Sequence, residues 1–159
     1  QAGYVVSSGY TLYKKSRAQG FVYGDALWRG ADLVATGVAS FGHLGGVHYQ
    51  NADSWEEYVG RLESGELPIS RALAVTNRQT LIREMVLQLK LGRLELDYFR
   101  NKFGVNIREE FADGFDSLIA QDLARDEPDR IRLTRPGLLR VDSLLPRFFD
   151  PEFRNIRYT

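Results

Sequence analysis

The chain has no cysteine, only two histidines and one methionine among its 159 residues. Without cysteine it can form no disulfide, offer no thiol nucleophile and ligate no iron-sulfur cluster through thiolates. Basic and acidic residues balance at 21 each, so no net charge attracts nucleic acid or an anionic membrane. No apolar run approaches the roughly 18 residues of a membrane-spanning helix, and no basic start with an apolar core indicates a secretory signal. We therefore expect a cytoplasmic protein with no membrane and no nucleic acid among its partners.

What remains is the composition of a globular protein, with 43% apolar and 26% charged residues. Glycine and charged residues are distributed unevenly along the chain, since residues 1–51 hold nine of the 15 glycines but only six charged residues. The composition therefore predicts a boundary near Asn51, with a glycine-punctuated part over 1–51 and a charged, helical part over 52–159.

An apolar run of small residues over 33–41 is typical of a strand buried on both faces of a parallel sheet. It is followed by a glycine-rich loop that contains His43. Because so few strands cannot complete a sheet and the chain has no initiating methionine, we expect it to be a fragment of a longer protein.

The second part contains helix-start signals. Asp53 followed by Glu56, and Thr76 followed by Gln79, have the spacing of a capping box. Helical patterns then continue to a short alternating strand over 130–134, which leads to a last helical stretch. This order predicts a winged-helix-like module.

Several motifs occur together in the order and spacing of one family. They are WRGADLVATGVASFGHLGGVHYQN over 28–51, GELPISRA over 65–72, LTRPG over 133–137 and PEFRNIRYT over 151–159. In this succession, which covers essentially the whole chain, the sequence resembles the C-terminal part of radical S-adenosylmethionine enzymes of the oxygen-independent coproporphyrinogen III oxidase type.

The resemblance implies an α+β fold, in which the last strands of a partial parallel (β/α) barrel precede a mostly helical, winged-helix-like domain. In the full-length enzyme, the barrel would hold a four-iron four-sulfur cluster on a C-x-x-x-C-x-x-C loop and cleave S-adenosylmethionine. The reaction implied is oxidative decarboxylation of coproporphyrinogen III to protoporphyrinogen IX, with the helical domain covering the barrel and shaping the substrate site. This fragment alone is expected to bind no cluster and to be inactive.

The resemblance also implies a cofactor-side group of residues, because parallel barrels place their sites at the C-terminal strand ends. Gly37, Ala39 and Ser40 would allow close backbone approach to S-adenosylmethionine. Phe41 matches an apolar position that lies against S-adenosylmethionine in the oxidases, although the residue type differs.

The substrate-side candidates are His43, His48, Gln50 and Asn51. Either histidine is a candidate to approach a tetrapyrrole or to donate a proton, and two polar loop residues are the plainer interpretation. Gln50 and Asn51 suit a turn and helix cap as well as a substrate contact.

Three functions stay open at this point. The chain is part of a tetrapyrrole-processing radical enzyme, or it is a haem-binding or haem-trafficking module or haem-modifying relative, or it is a winged-helix module that binds nucleic acid. The first predicts the missing N-terminal barrel and a tetrapyrrole substrate as partners. It also predicts self-association of the fragment through exposed strand edges.

Overall fold

The computed structural model describes residues 3–15 and 22–154, and it is a mixture of short strands and helices. The strands are β1 (Tyr4–Val6), β2 (Leu12–Lys14), β3 (Phe41–Leu44), β4 (Val47–Asn51), β5 (Ile69–Ala74), β6 (Arg93–Glu95), β7 (Ala124–Glu127) and β8 (Arg130–Leu133). The helices are α1 (Val22–Trp28), α2 (Trp55–Glu63), α3 (Asn77–Leu89), α4 (Leu96–Phe103), α5 (Ile107–Glu110), α6 (Ala112–Ala120), α7 (Arg135–Leu139) and α8 (Val141–Leu144). Two 3-10 turns follow, at Leu145–Phe148 and Pro151–Phe153.

All strand pairs among these residues are antiparallel, which corrects the expectation of parallel barrel strands over 1–51. The strands form a β1-β2 pair and two three-stranded sheets with the orders β3-β4-β5 and β6-β8-β7. The chain reverses between β3 and β4 at Gly45 and Gly46, whose φ angles are 56° and 78°. Two successive positive φ angles produce the two-residue hairpin turn that matches the twist of antiparallel strands.

The apolar run over 33–41 is not the strand that its composition predicted. Leu33 pairs only through an isolated bridge with His43, and the strand itself, β3, begins at Phe41, the last residue of the run. The reason is local, because Gly37 and Ala39 both have positive φ angles, 100° and 57°, which turn the chain out of an extended path.

The described residues form two compact units, residues 22–80 and residues 3–15 together with 81–154. The first contains the β3-β4-β5 sheet with α1 and α2. The second contains the β1-β2 pair, the β6-β8-β7 sheet and helices α4 to α8.

The apolar core lies in the second unit. Phe99, Phe115, Met85 and Leu94 are fully buried, and Phe148 is 2% exposed. The α3 helix contributes Leu81, Met85 and Leu89 to this core, and α4 ends at the left-handed residue Gly104, as is typical of a glycine C-cap.

Other element boundaries differ by local chemistry. The apolar residues from Ile107 to Ile119 recur at helical spacing, but the chain forms two helices there, α5 and α6, which are divided at Phe111, whose backbone is not helical. The α2 helix is capped by Ser54, which accepts from the Glu57 amide, rather than by Asp53. The Thr76–Gln79 capping box is confirmed by reciprocal bonds of 2.9 and 3.2 Å.

Candidate functional site

One face of the β3-β4-β5 sheet brings together most of the predicted substrate-side residues. Phe41, Gln50 and Arg71 are Cα partners in a row across the three strands, and His43, His48 and Leu73 form the next row. Because side chains two residues apart on a strand point to the same side, both rows project from the same face. We call this the histidine face, and it consists of Phe41, His43, His48, Gln50, Arg71 and Leu73.

Three rings lie close together on this face. The Phe41 and His48 rings are stacked, with centroids 5.6 Å apart and planes at 8°, and the His43 ring lies 6.2 Å from His48. Phe41 is 46% exposed whereas His43 is only 5% exposed. A flat ligand would therefore meet Phe41 first, and His43 would stay beneath the accessible surface.

A polar chain crosses the same face beside the rings. The Gln50 amide group donates to the Ala39 carbonyl oxygen at 3.0 Å, and its oxygen accepts from Arg71 Nε at 2.7 Å. Gln50 is thus held at both ends and fixes one edge of the Arg71 guanidinium.

The opposite face of the sheet is filled by the protein itself. A Cβ atom on Gly42 would lie 2.3 Å from Tyr49 Cζ, so only glycine leaves room for the Tyr49 ring there. The Tyr49 hydroxyl accepts from the Ala35 amide at 2.9 Å. Tyr49, an aromatic neighbour that could have stacked on a ligand, instead covers the sheet.

The predicted cofactor-side residues lie in the turn before β3, and Asn51 holds that turn in place. Its buried amide group donates to the carbonyl oxygens of Ala35 and Gly37 at 3.3 and 3.0 Å. The Ala39 amide donates to the Ala52 carbonyl oxygen at 2.8 Å. The Asn51 side chain therefore stabilises the turn rather than projecting from the histidine face.

The structure thus divides the predicted site residues into two groups. Phe41, His43, His48 and Gln50 share the histidine face. The remaining predicted residues, which form and hold the turn beside it, are Gly37, Ala39, Ser40 and Asn51.

Sequence reasoning missed Arg71 and Leu73. The only sign of Arg71 was its place in GELPISRA, because β5 shows no clear alternation of apolar and polar residues. A β-bulge explains this, since Gln50 pairs with Arg71 but Asn51 pairs with Ile69, leaving Ser70 as an extra residue.

The chain's residues fit the implied cofactors unequally. With no cysteine, it offers no thiolate to an iron-sulfur cluster, and no group of three metal-ligating side chains is assembled within residues 3–15 and 22–154. The Gly37 amide already donates to Tyr58 Oη at 2.9 Å, so the turn offers few amides to S-adenosylmethionine. The half-exposed Phe41 ring is the group that fits an adenosyl moiety.

None of the helices in the described ranges is long and apolar enough to cross a membrane.

The family model and the curated proteins that match this chain indicate the same family. Residues 75–140 match the model of the HemN C-terminal domain. The oxygen-independent coproporphyrinogen III oxidase of Pseudomonas aeruginosa is 30% identical over 122 residues, which cover 74% of this chain and 26% of that protein. The enzyme of the same name from Helicobacter pylori is 31% identical over 80 residues, 49% of this chain and 17% of that protein.

A solved structure with a similar fold belongs to the same family. Coproporphyrinogen III oxidase (HemN) from Escherichia coli, which is described as a radical SAM enzyme, matches with a TM-score of 0.73 and 17% identity over 92% of this chain. The match spans 37% of that protein. The chain is therefore a mixed α/β structure similar to HemN, it carries a HemN C-terminal domain match over residues 75–140, and its resemblance to the oxygen-independent coproporphyrinogen III oxidases is confirmed.

Proposed function

We propose that this chain is the C-terminal part of a radical S-adenosylmethionine enzyme of tetrapyrrole metabolism. The reaction proposed for the full-length enzyme is the oxidative decarboxylation of coproporphyrinogen III to protoporphyrinogen IX. Residues 1–51 would lie beside the barrel of that enzyme as antiparallel strands and turns, and residues 52–159 would form a winged-helix-like domain that covers it. The observation that carries the proposal is the histidine face, which gathers Phe41, His43, His48 and Gln50 beside an arginine.

The chemistry of that face suits the side of a substrate site. The half-exposed Phe41 ring offers an aromatic surface, and the planar Arg71 guanidinium on the same face is a natural partner for a carboxylate. S-adenosylmethionine and an iron-sulfur cluster would supply the radical when bound, and the cluster's thiolates must come from another part of the enzyme. Phe41 would contact the adenosyl side, and His43 and His48 the tetrapyrrole side.

Exposed apolar side chains support the covering role. Leu67 is 75% exposed, Trp55 67% and Leu73 52%, all within the 22–80 unit. A partner that covers these side chains would remove their apolar surface from water, which is favourable. We propose the N-terminal barrel of the same enzyme as that partner. When the barrel is absent, self-association of this chain would use the same surfaces.

The order α3-β6-α4-α5-α6-β7-β8 supports the winged-helix-like description. The same region does not favour nucleic acid as a partner, because several of its arginines pair with carboxylates. Arg108 contacts both Asp116 and Asp126 at 2.6 Å, and Arg130 pairs with Asp129. Paired charges of mixed sign do not form a phosphate-binding track.

The test is an anaerobic assay of the full-length protein that contains this chain, with coproporphyrinogen III, S-adenosylmethionine and a reductant. We expect stepwise loss of two carboxyl groups as carbon dioxide, measured by mass spectrometry. His43→Ala should slow turnover, and unchanged kinetics would remove His43 from the site. A reconstituted enzyme that consumes S-adenosylmethionine but leaves coproporphyrinogen III intact would contradict the proposed reaction.

Haem binding without decarboxylation is the second candidate, and the pairing of His43 with His48 is the observation that favours it. Their ring centroids are 6.2 Å apart, and the less buried imidazole, that of His48, is a potential axial ligand. Titration with haem should then give a Soret shift that disappears in His48→Ala. Absence of any haem-dependent spectral change would eliminate this candidate.

A further inference from the structure

Arg71 has a different setting from its neighbouring arginine in the 22–80 unit. Arg61 pairs with Glu57 at 2.7 Å and also donates to the Ile69 carbonyl oxygen. Arg71 is exposed, and among the described residues its one hydrogen-bond partner is the neutral side chain of Gln50. A guanidinium carries five N–H donors, and only Nε is used here. Both terminal nitrogens therefore remain available to a ligand.

The position of Arg71 is set by two features of the local structure. The bulge at Ser70 shifts the register of β5 immediately before Arg71, and bulges redirect the side chains beside them. Gln50 then holds Nε at 2.7 Å while being anchored to the Ala39 carbonyl oxygen. A long, flexible side chain is thus oriented before any ligand arrives, which reduces the entropy lost on binding.

The surroundings indicate which anion would bind. Arg71 lies in the same row as Phe41, at about two strand spacings or roughly 10 Å between Cα atoms. The Phe41–His48 stack is beside it, and the half-exposed Leu73 follows on the same face. An aromatic platform next to a guanidinium fork matches a ring that carries a carboxylate on a short side chain.

We propose that Arg71 binds a carboxylate of the ligand on the histidine face, and that Gln50 is the residue that positions it. This inference rests on the proposed function, because the ring that brings the carboxylate is taken to be a tetrapyrrole. Binding would place a side-chain carboxylate at the Arg71 terminal nitrogens while the ring lies over His48 and Leu73, the pair in the row next to Arg71.

The test measures binding of coproporphyrin III, a stable fluorescent tetracarboxylate, and of its uncharged tetramethyl ester to the purified chain. Arg71→Gln should weaken binding of the acid by roughly tenfold or more, since it removes a charge-assisted bidentate contact. The affinity of Arg71→Gln for the ester should equal that of the native chain. The affinity of Arg71→Lys for the acid should lie between those of the native chain and Arg71→Gln, because an ammonium keeps the charge but cannot form the bidentate contact.

Two controls separate positioning from folding. Arg100→Gln removes an exposed arginine that pairs with Asp97 on α4, and it should change neither affinity. Gln50→Leu should reduce the preference for acid over ester by less than Arg71→Gln does. It should cause no further loss when combined with Arg71→Gln, because both act on one contact.

The outcomes distinguish the two proposals. If the native chain prefers the acid and Arg71→Gln keeps that preference, the role of Arg71 is overturned and the proposed function is untouched. If the native chain binds neither acid nor ester, the tetrapyrrole ligand fails, and the assignment of Arg71 fails with it. Equal losses of acid and ester binding in Arg71→Gln would show a folding defect and would also overturn the carboxylate contact.

Discussion

The two units of the molecule are stabilised differently. In residues 81–154, apolar side chains from helices and strands form one buried core that runs from Leu81 to Phe148. In residues 22–80, by contrast, Ala52 and Pro68 are the buried nonpolar side chains, and the other buried side chains include His43 and Asn51. One unit therefore depends on the hydrophobic effect, and the other on hydrogen bonds and turns.

The difference lies in the buried core, since exposed apolar side chains occur in both units. A unit with its own core can stay folded without help. The 22–80 unit fixes its turns through polar side chains and exposes Leu67, Trp55 and Phe41, and the other unit exposes Leu12 and Leu139. The proposed site lies in the 22–80 unit.

The comparison predicts that removing an apolar side chain destabilises the protein strongly in one unit and little in the other. Phe99→Ala, in the core of the 81–154 unit, should lower the free energy of unfolding by about 3–5 kcal/mol through lost burial and a cavity. Leu67→Ala, at 75% exposure in the other unit, should change it by less than about 0.5 kcal/mol. Urea denaturation followed by circular dichroism measures both. A large loss in Leu67→Ala would show that residues 22–80 have a core after all.

The apolar core of the 81–154 unit contains one buried carboxylate. Glu84 is 1% exposed and accepts from Tyr98 Oη at 2.6 Å and from Lys102 Nζ at 2.8 Å. Glu84→Gln should lower the free energy of unfolding by about 2 kcal/mol, the range of a hydrogen bond to a charged group. Arg100→Gln, which breaks an exposed pair on the same helix as Lys102, is the matched control and should cost well under about 1 kcal/mol.

The same cluster gives a pH dependence. Burial lowers the pKa of Lys102, but hydrogen bonds to Glu84 and Tyr98 and the Glu84 charge outweigh it, so the pKa lies above the ordinary 10.5. Since the folded state holds this proton more tightly, its contribution is complete below pH 10.5 and is lost as the pH rises through the folded-state pKa. The stability gap between the native chain and Lys102→Met should shrink in that alkaline window. A gap that stays constant would contradict the coupling.

The smallest predicted effect concerns the 22–80 unit, which depends on hydrogen bonds and turns. Asn51→Ala removes the amide donors to Ala35 and Gly37 and should destabilise the turn before β3 by about 1 kcal/mol. Hydrogen exchange at the Ala39 amide, which donates to Ala52, should become faster. The Met85 amide in α3 should exchange unchanged. Equal acceleration at both amides would mean that the two units share one stability.

The sequence predicted local features well where one short-range cause decides them. Reciprocal bonds between Thr76 and Gln79 start α3, as their spacing indicated, and the left-handed glycine Gly104 ends α4. The composition-based strand over 33–41 was wrong because the positive φ angles of Gly37 and Ala39 outweigh the β preference of the neighbouring residues.

By itself, the sequence determined the family resemblance, the absence of thiolate ligands and the helical, core-forming character of the C-terminal part. Those properties depend on residue types and on neighbours three or four positions apart. Only the tertiary structure decided that Phe41, His43, His48 and Gln50 share one face with Arg71. That grouping depends on strand register, which the Gly45–Gly46 hairpin and the bulge at Ser70 set and which no local pattern in the chain reveals.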